Sequence, residues 1–94
     1  MGTRVTAGSV PDRELQTRVR KVAGQLTVAL PDGTSVQLSD TAALVWRAID
    51  GRRTVHDVAA LLAAEYDVEA DEVVGDVVEL VTGLADIGLL SVPG

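Results

Sequence analysis

Leu26-Thr27-Val28-Ala29-Leu30-Pro31-Asp32-Gly33-Thr34-Ser35-Val36-Gln37-Leu38-Ser39-Asp40-Thr41 is the stretch on which the fold turns. Leu26, Val28 and Leu30 alternate with Thr27 and Ala29, the period of a half-buried strand. Pro31 presets one turn dihedral and Gly33 accepts a positive φ, so the chain reverses there. Val36 and Leu38 then alternate with Ser35 and Gln37. Ser39 or Asp40 is a helix cap, and beyond it the apolar spacing lengthens from two residues to nearly four. The reading is strand, turn, strand, helix.

Upstream, Leu15, Thr17 and Val19 alternate with Gln16, Arg18 and Arg20, and Ala23-Gly24 supplies a turn. These segments make a three-stranded antiparallel meander over about residues 15–38, with one face expected to be buried. So small a sheet needs a helical layer to cover it. Residues 1–12 show no sustained period and end in Val10-Pro11-Asp12. They are expected to form a flexible N-terminal tail or a weak edge strand, leaving 13–94 as the single domain.

Three helices are expected downstream, at about 40–50, 55–66 and 70–87. The first buries Ala42, Leu44, Val45, Ala48 and Ile49, adds Trp46, and stops at Gly51. Thr54 caps the second, with Asp57 in the position of a capping box. The third begins near Glu69 to Asp71, where acids meet the positive end of the helix dipole, and ends at Gly88. At about 100° per residue, Val73, Val77, Leu80, Leu84 and Ile87 form one stripe and Val74, Val78, Val81 and Ala85 a second beside it. Two stripes are wider than one core contact needs, so part of this face is free to line a groove. Gly83, beside Asp76 and Leu80, has two readings: room for another backbone, or a tolerated surface position. The architecture is α+β and winged-helix-like, a three-stranded antiparallel sheet followed by three helices.

Composition narrows the function. Of the 94 residues none is Cys and one is His, which excludes thiolate zinc sites, thiol nucleophiles and multi-His metal centres. His56 falls in the first turn of the second helix, where a side chain usually meets water, and no motif supplies it with a nucleophile. Neither a metal nor a cofactor is expected, and a non-catalytic binding module is the starting hypothesis. No apolar run is long enough to cross a membrane. Met1–Val10 lacks an apolar core of signal-peptide length, so a cytoplasmic protein is expected.

The net charge of −6 conceals an asymmetry. Residues 1–53 carry all eight basic residues and five acids, whereas 54–94 carry nine acids and no Lys or Arg. A winged helix invites a DNA-binding reading, but its recognition helix would carry Asp71, Glu72, Asp76, Glu79 and Asp86 against the phosphates. Neither nucleic acid nor an anionic membrane suits this half. A cationic peptide does. An assembly-type interaction protein with a stable protein partner is the third class considered.

Leu38-Ser39-Asp40-Thr41-Ala42-Ala43-Leu44-Val45-Trp46, the block Asp50-Gly51-Arg52-Arg53-Thr54-Val55, Tyr66-Asp67-Val68, the Val-rich third helix and the closing Gly88-Leu89-Leu90 together resemble the PqqD-like family, the stand-alone form of the RiPP recognition element. The resemblance covers about residues 15–92. Ser39 stands where such families usually place Asn, and Ser caps equally well. The resemblance implies a protein that binds the leader of a ribosomally made precursor peptide and presents it to a modifying enzyme. The leader would add as a strand to the third strand's free edge, beside the third helix. Ser35, Val36, Gln37 and Leu38 would supply the ladder, and this edge carries no charge or Pro to block pairing. Val73, Asp76, Val77, Leu80, Gly83 and Leu84 would form the wall, with Asp76 and Glu79 paired to basic leader residues.

Within the family, Trp46 and the short independent chain look most like lasso-peptide cluster members. Their partners would be a transglutaminase-like cysteine protease that removes the leader and an ATP-dependent cyclase. The rival is a pyrroloquinoline-quinone-type chaperone serving a radical-SAM enzyme. Arg18, Arg20 and Lys21 have two readings, an enzyme dock or solvated strand ends, and the second is the plainer. Arg52 and Arg53 are read as structural loop residues.

Overall fold

The computed structural model describes residues 4–93. Element order is β1 (Asp12–Arg13), β2 (Arg18–Val22), β3 (Gln25–Ala29), β4 (Ser35–Leu38), α1 (Asp40–Ala48), α2 (Val55–Tyr66), α3 (Ala70–Asp86) and β5 (Leu90–Ser91). β2, β3 and β4 form the antiparallel meander in that spatial order, and β1 pairs with β5 in a separate two-stranded sheet.

Turn chemistry sets the meander. Ala23 (φ +51°) and Gly24 (φ +83°) make a two-residue connection with both central residues left-handed, as a type I′ hairpin requires. At the second hairpin the Gly33 amide bonds the Leu30 carbonyl at 3.1 Å and the Leu30 amide bonds the Thr34 carbonyl at 2.8 Å. Gly33 (φ +94°) is the left-handed residue of this three-residue loop.

Helix ends are satisfied one by one. Ser39 Oγ accepts the Ala42 amide at 3.1 Å and settles the cap of α1. Thr54 and Asp57 form a complete capping box at α2. At the end of α3 the Leu89 amide reaches the Leu84 carbonyl and the Gly88 amide the Ala85 carbonyl, with Gly88 at φ +88°. That is a Schellman closure, and it buries Leu89 completely.

Asp50 organises the α1–α2 loop. Its Oδ1 accepts the amides of Arg53 (2.8 Å) and Arg52 (2.9 Å), while Arg53 Nη1 donates to the Ala48 carbonyl at 3.0 Å. Chiefly because of the two amides, Arg53 first, the Asp50 carboxyl titrates below its usual range. The stability it contributes is present above the unfolded Asp range and is lost as pH falls through the lowered value.

The core joins the inner face of the sheet to all three helices: Val28, Leu38, Val45, Trp46, Ile49, Val55, Val58, Leu62, Val77, Val81, Leu84, Leu89 and Leu90 are buried together. The sheet is less deeply covered than its alternation suggests. Every residue of β2 is exposed, Val19 and Val22 included, and Leu15 is 98 % exposed. The helical layer ends over β3 and β4, so the first strand contributes pairing but no buried face.

The N-terminal segment also departs from expectation. Residues 1–3 lie outside the described residues, but 5–13 lie against the body. The Ser9 carbonyl accepts the Val55 amide at 2.8 Å and the Ala7 carbonyl accepts the His56 amide at 2.9 Å. These are the first donors of α2, which no residue of the helix itself can satisfy. Pro11 is buried, Asp12 and Arg13 pair with Ser91 and Leu90, and Val5 packs on the core. Of residues 4–12, Asp12 alone belongs to a strand, the two-residue β1. Arg13 completes the strap: its Nη2 and Nε donate to the Trp46 carbonyl at 2.8 and 3.2 Å, and its guanidinium sits 5.1 Å from the Trp46 ring centroid. It thereby satisfies a carbonyl in the last turn of α1.

Two substitutions test this description by chemical denaturation. Arg13→Ala should lower stability by about 1–2 kcal/mol, since it removes charge-assisted bonds to a buried helix end. Ala23→Asn should raise it by about 0.5–1 kcal/mol, because Asn tolerates the left-handed conformation that costs Ala.

Candidate functional site: the free edge of β4 and the flank of α3

β4 pairs with β3 on one side only, in the register Leu26↔Leu38, Thr27↔Gln37, Val28↔Val36 and Ala29↔Ser35. The bond from the Leu30 amide to the Thr34 carbonyl makes that opposed pair a hydrogen-bonded one. Hydrogen-bonded and non-bonded pairs alternate along an antiparallel ladder. Val36 and Leu38 therefore turn their backbone groups toward β3, and Ser35 and Gln37 turn theirs outward. The same phase results from the β2–β3 hairpin, whose two-residue loop makes Val22↔Gln25 a bonded pair. The outward ladder of β4 thus consists of two residues rather than four. Val36 and Leu38 instead place side chains on the inner face, half-buried and buried respectively.

The meander's other edge, on β2, is different. There Val19 and Lys21 direct their backbone outward, and Arg18, Arg20 and Lys21 crowd the strand with charge. Charges of this sort discourage strand addition. β4 offers uncharged Ser, Val, Gln and Leu. The Gln37 and Gln25 side-chain amides are hydrogen-bonded across the outer face and leave the Gln37 backbone free.

On α3 the inward direction is set by Val77 (1 % exposed), Val81 (0 %) and Leu84 (5 %), which runs between the two expected stripes. Val77 and Leu84 are therefore core residues, and their side chains are withdrawn from any groove. Half-buried Val73 and Leu80 flank them on one side, followed around the helix by exposed Asp76 and Gly83. Val74, Val78 and Ala85 flank them on the other. Glu79 lies nearly opposite the core, facing solvent. A Cβ built on Gly83 meets no atom within 4 Å, so the protein's own packing does not require glycine there. Val36 and Leu38 of β4 share one apolar cluster with Val73, Val77, Leu80 and Leu84 of α3. Strand edge and helix flank border the same core.

Electrostatically the two halves are distinct. α3 carries Asp71, Glu72, Asp76, Glu79 and Asp86, all exposed, and no basic residue. Among the described residues the one ion pair is Arg53–Asp50, at 3.8 Å and half exposed. No three His, Asp or Glu side chains there form a cluster able to hold a metal. His56 is exposed, and no helix among the described residues is long and apolar enough to cross a membrane.

A three-stranded meander with a vacant edge beside three helices has known relatives. The sequence profile of the family described as Coenzyme PQQ synthesis protein D (PqqD) matches residues 24–90. The chain belongs to the PqqD family. A protein of Xanthomonas campestris pv. campestris (strain 8004) named "PqqA binding protein" is 42 % identical over 55 residues, which are 58 % of this chain and 60 % of that protein. The chain thus matches less than two thirds of the length of that relative. Among solved structures, the PqqD part of Methylobacterium extorquens PqqCD, described as a functional and stand-alone RiPP recognition element, superimposes with a TM-score of 0.79 at 26 % identity. That match covers 93 % of this chain and 94 % of the other. Lasso peptide synthetase B1 complexed with its leader peptide gives a TM-score of 0.76 at 28 % identity, covering 87 % and 98 %.

The ladder phase has a direct consequence. Val36→Pro removes an amide bonded to β3 and should cost about 3 kcal/mol or more in thermal or denaturant unfolding. Gln37→Pro removes an outward amide on an edge strand and should cost far less. Equal losses would mean that the phase is inverted.

Proposed function

We propose that this protein binds the leader of a ribosomally made precursor peptide by strand addition to β4 and delivers it to a modifying enzyme. The observation that carries the reading is the outward pair of backbone groups on Ser35 and Gln37, on the one uncharged edge of the sheet. A guest strand gains affinity from these main-chain bonds and specificity from alternate side chains set beside Val36, Val73 and Leu80. Gly83 leaves room for the guest, and Asp76 attracts a Lys or Arg in it. Glu79 acts only at longer range, from the solvent face. The chain is a non-catalytic adaptor that works in the cytoplasm.

The names of the similar proteins support a peptide guest, and they support two settings. Similarity to the leader-bound lasso synthetase B1 favours a lasso-peptide setting, in which a transglutaminase-like cysteine protease removes the leader and an ATP-dependent cyclase closes the product. Similarity to the PqqA binding protein favours the second reading, a chaperone that presents its precursor to a radical-SAM enzyme. Calorimetry with a synthetic lasso leader and with a PqqA-type peptide separates the two.

Ordering some 10–15 guest residues consumes part of the interaction energy, so the dissociation constant should lie roughly between nanomolar and micromolar. Leu80→Asp and Gln37→Pro should each weaken leader binding at least about tenfold, while circular dichroism and amide NMR spectra stay those of the folded protein. Unfolding of Leu80→Asp would make Leu80 a core residue. Undiminished binding by Gln37→Pro would remove β4 from the site.

A further inference from the structure

The face of the meander turned away from the helices bears a second surface. The register places Arg18, Ala29 and Ser35 in one row across the sheet and Arg20, Thr27 and Gln37 in the next. Arg18, Arg20, Val22, Thr27, Ala29 and Ser35 line a shallow cleft of about 330 Å³, and no carboxylate is among them. A second concavity of about 680 Å³ shares Arg18 and adds Leu30, Pro31 and Leu15, whose side chain stands almost wholly in solvent. The result is a floor of small side chains (Thr27, Ala29 and Ser35), exposed Val22 and Leu15 at its borders and two arginines with no ion-pair partner among the described residues.

We propose that this outer face docks the enzyme that acts on the guest, through carboxylates on the enzyme that meet Arg18 and Arg20 around an apolar contact. The proposal rests on the guest-strand reading above. Charge selects the partner: both charged residues lining the cleft, Arg18 and Arg20, are cations, and arginine at a contact edged by apolar groups suits a protein interface. A phosphate polymer suits it less, because the molecule as a whole carries −6 and α3 is uniformly acidic. Position adds a second argument. A strand added to β4 continues the rows that run through Ser35 and Gln37, so every other guest side chain lies on this same face. An enzyme seated there touches adaptor and guest together. Guest and enzyme then strengthen each other's binding by the same factor.

The test uses the whole protein, a synthetic leader peptide and a purified leader-cleaving cysteine protease of the lasso-peptide type, in calorimetry and stopped-flow association. Wild-type protein should bind the protease more tightly with leader present, and association should slow with added salt. The R18E/R20E double variant should lose at least about tenfold in protease affinity, mostly through association rate, with leader affinity unchanged within about twofold. R18K/R20K should retain most of the affinity. Unchanged protease affinity in R18E/R20E, or no protease binding by a wild-type protein that binds leader, overturns the proposal. So does binding of a 20-base-pair DNA or of phosphatidylserine vesicles that R18E/R20E abolishes, which would assign the face to phosphate. Failure of the wild-type protein to bind leader defeats the guest-strand reading, and the docking proposal falls with it.

Discussion

The amide of Leu30 bonds the carbonyl of Thr34, and this one contact sets the phase of everything that follows along β4. With the pair bonded, Val36 and Leu38 commit their backbone to β3, and their side chains share the inner-face cluster with α3. Ser35 and Gln37 are left with outward donors and acceptors that no strand among the described residues pairs. A shift of one residue would exchange the faces, placing Val36 and Leu38 in water and Gln37 in the core. Turn and core therefore agree on a single register, and the vacant edge is its by-product. Proteins usually protect such an edge with charge or Pro. β2 carries that protection and β4 does not.

Charge divides the same way. α3 bears five exposed acids and no base, and β2 bears Arg18, Arg20 and Lys21 and no acid. Arg13, Arg52 and Arg53 take no part in this division: the first pins the end of α1, and the other two stand in a loop organised by Asp50. β2 carries three of the eight basic residues, Arg18, Arg20 and Lys21, on one short strand. Acidic and basic surfaces lie on different elements, which is the charge layout the proposed peptide and enzyme contacts require. The N-terminal strap ties the first turn of α2 to β5 near the end of the described chain.

Much of this was legible in residue order. Period two followed by period 3.6, the Pro31–Gly33 turn, the Thr54/Asp57 box and the Gly88 stop place the second and third meander strands and the three helices within a residue or two of their positions, while the first meander strand begins at Arg18 rather than near Leu15. What stayed hidden has a common physical cause. Ala7 and Ser9 act through backbone carbonyls that cap α2, and such bonds leave no pattern in side-chain polarity. Leu15, Thr17 and Val19 alternate as a buried strand would, yet alternation does not reveal how far a helical layer extends. On α3, two adjacent stripes, centred about 110° apart, left the inward direction open. The helix resolved it through Val81, which turned Val77 and Leu84 into core. The backbone phase of β4 needed the hairpin's hydrogen bond, which no count of residues supplies.

Amide hydrogen exchange, read residue by residue by NMR with and without bound leader, tests the central claim most directly. In the free protein Val36 and Leu38 should be protected while Ser35 and Gln37 exchange freely. Leader binding should then protect Ser35 and Gln37 and leave Val19 and Lys21 on β2 unchanged. Protection appearing on β2, or no change at Ser35 and Gln37 under saturating leader, would contradict the account.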